Sequence, residues 1–188
     1  MTGMTASSVF AMSDVSDGSD PSDATDAADN AIPAQARVYL NGRFLPLSEA
    51  HLSPLDRGFL FGDGVYEVIP VHHGRAFLLE RHLERLQRSL AGIGIDCPMS
   101  RADWTAICQQ LCRLNGGGHL TLYLQVTRGV APTRGHAFPP GISPTVFAMA
   151  TPLEPVDPVW LEAGVAAITQ ADPRWARCDI KSVNLLPN

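Results

Sequence analysis

Lysine is nearly absent: the 188 residues hold one, Lys181, beside thirteen arginines. Ordinary surface charge is met here with arginine, so the single amine asks for a reason. Long apolar runs are missing as well. None approaches the ~20 residues that a membrane helix requires, and a membrane-spanning helix is excluded. Cysteine is scarce: Cys97, Cys108, Cys112 and Cys178 show no CxxC metal spacing, in a chain too long to depend on disulfide staples. Free thiols in a reducing cytoplasm are expected, with no metal site. Cys108 and Cys112, four apart, read as small buried hydrophobes on one helix face. Basic residues are wholly missing from 1–36, which carry six aspartates (Asp14, Asp17, Asp20, Asp23, Asp26, Asp29). That stretch accounts for more than the net charge of −5, and the remainder stands at +1. A near-neutral body without a basic cluster offers little to a nucleic-acid backbone, which is held chiefly by Lys and Arg on phosphate.

What is present divides the chain. Residues 1–36 are mostly Ser, Asp, Ala and Thr, too poor in large apolar groups to offset ordering entropy, and are expected to be a disordered acidic tail. They lack the basic start and apolar core of a secretory signal. Order is expected from Arg37, where Val38-Tyr39-Leu40 and Arg43-Phe44-Leu45 flank Asn41-Gly42, a dipeptide suited to the positive φ angles of a tight hairpin. A second hairpin is expected over 65–79, turning at His73-Gly74. Leu79, Leu83, Leu86, Leu90 and Ile93 recur at steps of three and four, which predicts an amphipathic helix closed by Gly92 and Gly94. Ser100, with Asp103 three residues on, predicts the capped start of another, stopped by Gly116-Gly117-Gly118. Three further β segments are expected at 119–127, 144–150 and 164–169. Strands, two helices, then strands predict an α+β fold with a mainly antiparallel sheet. The expected division is a tail over 1–36, an N-terminal domain over 37–152, and over 153–188 the truncated start of a larger, β-rich domain.

Among candidate chemical groups, Lys181 stands first. A Schiff base with an aldehyde needs an amine that can lose its proton, and a guanidinium cannot serve. Ile180, Val183, Leu185 and Leu186 give it apolar neighbours, which favour the neutral nucleophile. By composition alone an exposed strand lysine remains the commoner reading. Gly62 and Gly64 lack the strand-to-helix setting of a phosphate loop and read as close-packing glycines. Ser182 either tunes the lysine or merely packs. His72, His73 and His119 read as turn or strand-edge residues.

Two long stretches add to this. Asp56-Arg57-Gly58-Phe59-Leu60-Phe61-Gly62-Asp63-Gly64-Val65-Tyr66-Glu67-Val68 and Arg174-Trp175-Ala176-Arg177-Cys178-Asp179-Ile180-Lys181-Ser182 together resemble the D-amino acid transaminases of the fold-type IV class of pyridoxal-phosphate (PLP) enzymes. The likeness runs from about Arg37 to Asn188. It implies that Lys181 forms the internal aldimine with PLP and moves the proton between the substrate α-carbon and the cofactor, that Arg85 holds the PLP phosphate, and that Tyr66, Arg134 and His136 trap the substrate carboxylate. It implies amino acid and 2-oxo acid substrates, a homodimer in which the loop carrying Arg134 and His136 reaches the other subunit, and a second domain that binds PLP. That loop is one residue longer than the family form, and Arg128 is the other arginine near this place. Branched-chain L-amino acid transaminases and aminodeoxychorismate lyase share the fold; Tyr66 and the Arg134-x-His136 pair favour the D-amino acid type. A reading of another class is an inactive fragment holding only a dimerising domain.

Overall fold

In the computed structural model the residues described are Ile32, Pro33, residues 35–169, Ala171 and residues 177–185. The expected tail therefore lies outside the described residues except at its end. There Ala36 is already ordered, its carbonyl accepting from Leu47 N at 2.8 Å.

Asn41 (φ 46°) and Gly42 (φ 92°) both occupy the left-handed region. They close β1 (Arg37–Leu40) onto β2 (Arg43–Pro46) as the dipeptide predicts. A short helix α1 (Arg57–Phe61) then leads through Gly62 into β3 (Gly64–His72). His73-Gly74 turns the chain back, but β4 is only Arg75–Ala76, because Phe77 and Leu78 already leave the ladder for the next helix. Helix α2 (Leu79–Gly92) buries Leu83, Leu86 and Leu90. Helix α3 (Arg101–Leu114) starts at the expected capping box, with Ser100 Oγ accepting from Asp103 N and the Asp103 carboxylate accepting from Ser100 N. Strands β5 (Leu120–Thr127) and β6 (Thr145–Pro152) follow, then helix α4 (Pro158–Ala163).

Six strands form one antiparallel sheet in the order β2-β1-β6-β5-β3-β4, so the α+β expectation holds. Helices α2 and α3 cover one face. Their Leu86, Leu90, Trp104, Cys108 and Leu111 pack on Val65, Ile69, Leu122, Leu124, Val126 and Ala148. Cys108 and Cys112 are buried there, as their spacing predicts. Strand alternation sends Tyr66, Tyr123, Gln125 and Phe147 to the opposite face. The strand expected at 164–169 does not form. Those residues are exposed and pair with no other strand among the described residues, and a strand without a ladder partner leaves its backbone to water. Among the described residues no helix is long and apolar enough to cross a membrane.

Candidate active site

The first of the two long stretches, 56–68, becomes a mould whose charged residues hold different parts of the chain. Asp56 caps α1, its Oδ1 accepting from Gly58 N and from Thr127 Oγ1, both at 2.8 Å, while Oδ2 accepts from Thr145 Oγ1 at 2.6 Å. Buried carboxylates persist only when their lone pairs are filled in this way. Arg57, also buried, donates to Asp63 Oδ2 at 2.7 Å and to the carbonyls of Gly135 (2.7 Å) and His136 (3.2 Å). Asp63 accepts as well from both Nε and Nη2 of Arg128, at 2.8 and 3.0 Å. Burial pushes the Asp63 carboxyl up, but its hydrogen bonds to Arg128 and Arg57 and their charges outweigh that and hold it below the usual carboxylate range.

The second stretch docks onto the first. The early part of β3 has β5 on one side only, and residues 181–183 fill the other. Tyr66 N donates to Lys181 O, Val183 N donates to Gly64 O, both at 3.0 Å, and Ser182 bridges to Val65. The two glycines permit this approach. Gly62 ends α1 in the left-handed region (φ 62°), and a Cβ there would lie 3.1 Å from Asn184 Cβ; one on Gly64 would lie 2.7 Å from the Val126 carbonyl. Their expected role as close-packing residues agrees with this geometry. On the helix side Ile180 covers Gly92, and Lys181 N donates to Ser89 Oγ at 3.3 Å.

Lys181 Nζ consequently lies 3.9 Å from the centroid of the Tyr66 ring. No carboxylate pairs with it among the described residues. Of its apolar sequence neighbours Ile180 is buried, Val183 partly so and Leu185 exposed, and Leu186 lies outside the described residues. The next residue along β3, Glu67, points to the helix-covered face. Fully buried, it is gripped by Arg85 through two parallel hydrogen bonds of 2.6 Å and by His82 Nδ1 at 2.8 Å. The Glu67 hydrogen bonds hold the Arg85 guanidinium above its ordinary range and outweigh burial. Adjacent residues of one strand thus address the amine on one side and the arginine on the other.

Arg134 and His136 gather elsewhere. Both pack on Phe61, the guanidinium 5.0 Å from the ring centroid and the imidazole at 5.6 Å. The structure brings Tyr66 to Lys181 and sets Arg134 and His136 on the same Phe61 ring, but no hydrogen bond, ion pair or ring contact joins the two groups among the described residues. Arg128 is committed: besides Asp63 it donates to the carbonyls of Ile93 (2.7 Å) and Gly94 (3.1 Å) and lies 3.8 Å from the centroid of Phe138. Sequence reasoning gave Asp56, Arg57, Asp63 and Glu67 no role of their own and weighed Arg128 only as the alternative to Arg134; most of their partners lie far off in the chain. The one available signal was the density of charge in 56–68 amid apolar residues. A cavity of about 540 Å³ between Asn41, Met99 and residues 142–146 has no charged lining and lies away from Lys181.

By their chemistry these groups suit a phosphorylated aldehyde: an amine with no carboxylate partner among the described residues, an aromatic ring beside it, and a guanidinium fork anchored on the next residue of the same strand. Comparison with known proteins agrees. Residues 64–188 match the family model described as amino-transferase class IV, and the chain belongs to that family. It is 45% identical over 152 residues to a D-alanine aminotransferase of Bacillus licheniformis, covering 81% of this chain and 53% of that protein. Among solved structures, the 4-amino-4-deoxychorismate lyase of Pseudomonas aeruginosa is 34% identical (TM-score 0.57; 68% of this chain, 44% of that one). The branched-chain aminotransferase of Thermoproteus uzoniensis is 27% identical (TM-score 0.57; 63% and 41%). The chain spans about half the length of the curated relatives it matches.

Proposed function

We propose that this chain carries the lysine-bearing part of a PLP-dependent transaminase that exchanges an amino group between a D-amino acid and a 2-oxo acid. The observation that carries the reading is the lone lysine, held by its backbone against β3 with its amine over Tyr66. The relative named as a D-alanine aminotransferase supports the substrate class. PLP, when bound, supplies the electron sink that lets an α-proton leave. Lys181 holds the cofactor through Nζ, and the same Nζ takes that proton and returns it, acting as base and then acid. Arg85 holds the phosphate; its second anchor, Glu67, keeps the fork oriented. Tyr66, Arg134 and His136 bind the substrate carboxylate. In keeping with the family likeness, Arg134 and His136 serve the site of a second copy, and the active species is a homodimer. Arg134 rather than Arg128 takes this role, since the Arg128 donors are already occupied by Asp63 and two carbonyls. The division of the chain after residue 152 belongs to the same reading, with 153–188 opening the domain that completes the cofactor pocket.

Two measurements test this. Reduction with borohydride in the presence of PLP, followed by peptide mapping, is expected to label Lys181; label at another residue, or undiminished amino exchange in Lys181→Ala, overturns the assignment. Assays offering D-alanine and L-leucine separately with 2-oxoglutarate are expected to favour D-alanine. Faster turnover of L-leucine would move the protein to the branched-chain type.

A further inference from the structure

Composition showed no basic cluster, yet the 3.6-residue period of α2 makes one. Arg81, Arg85 and Arg88 stand at i, i+4 and i+7 on one flank of the helix. With Leu78 and His82 they line a cavity of about 280 Å³. Three arginines thus line it. Only Arg85 is neutralised, by the buried Glu67 carboxylate; Arg81 and Arg88 have no carboxylate partner among the described residues. The nearby acids are turned away, for Glu80 and Glu84 lie 3.4 and 3.7 Å from Arg101 of α3. The lip of the cavity is strained as well. Leu78 holds φ 49° and ψ 37°, a left-handed conformation that a branched apolar side chain seldom adopts and that is often kept where a site requires it.

We infer that this cavity is a three-arginine pocket for a phosphate monoester dianion, in which Arg81 and Arg88 bind the anion together with Arg85. The inference rests on the assignment of Arg85 to the cofactor phosphate and extends it to two residues that neither the motifs nor the family likeness singled out. The charge balance decides the ligand class. Three cations against one carboxylate leave two positive charges, and a phosphate monoester carries close to −2 at neutral pH. A single carboxylate ligand would leave one charge unmet. Glu67 and His82 fix the Arg85 fork on the sheet side, so its outer edge, together with Arg81 and Arg88, would supply donors to the phosphate. Phosphate dominates the recognition, and the pocket therefore accepts inorganic phosphate as a competitor of PLP.

The test compares the purified protein with Arg81→Gln, Arg88→Gln and the double variant. The dissociation constants of PLP and of pyridoxal, which lacks the phosphate, are measured by fluorescence, and inorganic phosphate is titrated as a competitor. Each single change is expected to weaken PLP about tenfold, the net worth of one charge-assisted contact, with pyridoxal binding unchanged. Phosphate is expected to compete more weakly in the double variant. Wild-type affinity for PLP and for phosphate in the double variant overturns the inference. Arg85→Gln separates the two claims: if it alone loses PLP, the phosphate assignment of Arg85 stands and the three-arginine pocket falls. Should Arg85→Gln also bind PLP like the wild type, the phosphate assignment beneath it falls too.

Discussion

Asp56 keeps both carboxylate oxygens occupied by groups from three segments: the amide that opens α1 and the hydroxyls that end β5 and begin β6. Removing it strands two buried hydroxyls and an N-cap together. Asp56→Ala is expected to cost about 2–4 kcal/mol in urea unfolding; a loss within a few tenths of a kcal/mol would mean that other groups fill those bonds. The cysteines invite a gentler probe. Burial pushes the Cys108 thiol up to about 12, with the neighbouring Cys112 adding to it. A thiol reagent acts on the thiolate. In the folded protein at neutral pH the exposed Cys97 is expected to react promptly and Cys108 only after denaturant is added; equal rates for the two would contradict the burial of α3.

At the scale of elements, the docking of residues 181–183 along β3 depends on what Gly64 lacks. A Cβ there meets the Val126 carbonyl and the Thr127 backbone, neither of which can rotate aside. Gly64→Ala is expected to cost about 1–3 kcal/mol by overpacking and to slow borohydride labelling of Lys181, because the strand start and the docked segment shift together. Normal labelling at normal stability would show that the lysine segment finds its place without this contact. The elements themselves were largely legible beforehand. Asn41-Gly42, the leucine repeat of α2 and the Ser100–Asp103 box are local signals, and each formed where its residues predict. Four features were not legible. Helix α1 spans five residues and helix α4 six, too few for periodicity to register. Strand β4 is cut short because Phe77 and Leu78 serve the entry of α2. Residues 164–169 are apolar enough for a strand, but a strand is defined by its neighbour, and no neighbour is written in its own letters. The site divided the same way: Lys181 drew notice through its rarity and the family likeness, whereas the grip of Glu67 on Arg85 joins residues 18 apart, beyond any local pattern.

Across the whole molecule, Asp63 is the point where separate parts are tied. Through Arg57 it reaches α1 and the loop of Arg134 and His136; through Arg128 it reaches the end of β5 and the carbonyls that close α2. Two guanidinium groups buried around one carboxylate make this tie sensitive to protonation. The folded-state value of Asp63 lies below its ordinary 3.8. A depressed carboxylate contributes stability that is fully present above the unfolded value and is lost as pH falls through the folded one. At pH 6 Asp63→Asn is expected to be less stable than the wild type by about 3 kcal/mol or more, because two buried cations lose their counter-ion. Protonating the wild type removes the same charge, so the gap is expected to narrow steadily as pH drops below about 4. Denaturant midpoints of both proteins between pH 6 and pH 2.5 measure it, and a gap that stays constant through that range would place the tie in packing around Phe138 and Phe61 rather than in the charge of Asp63.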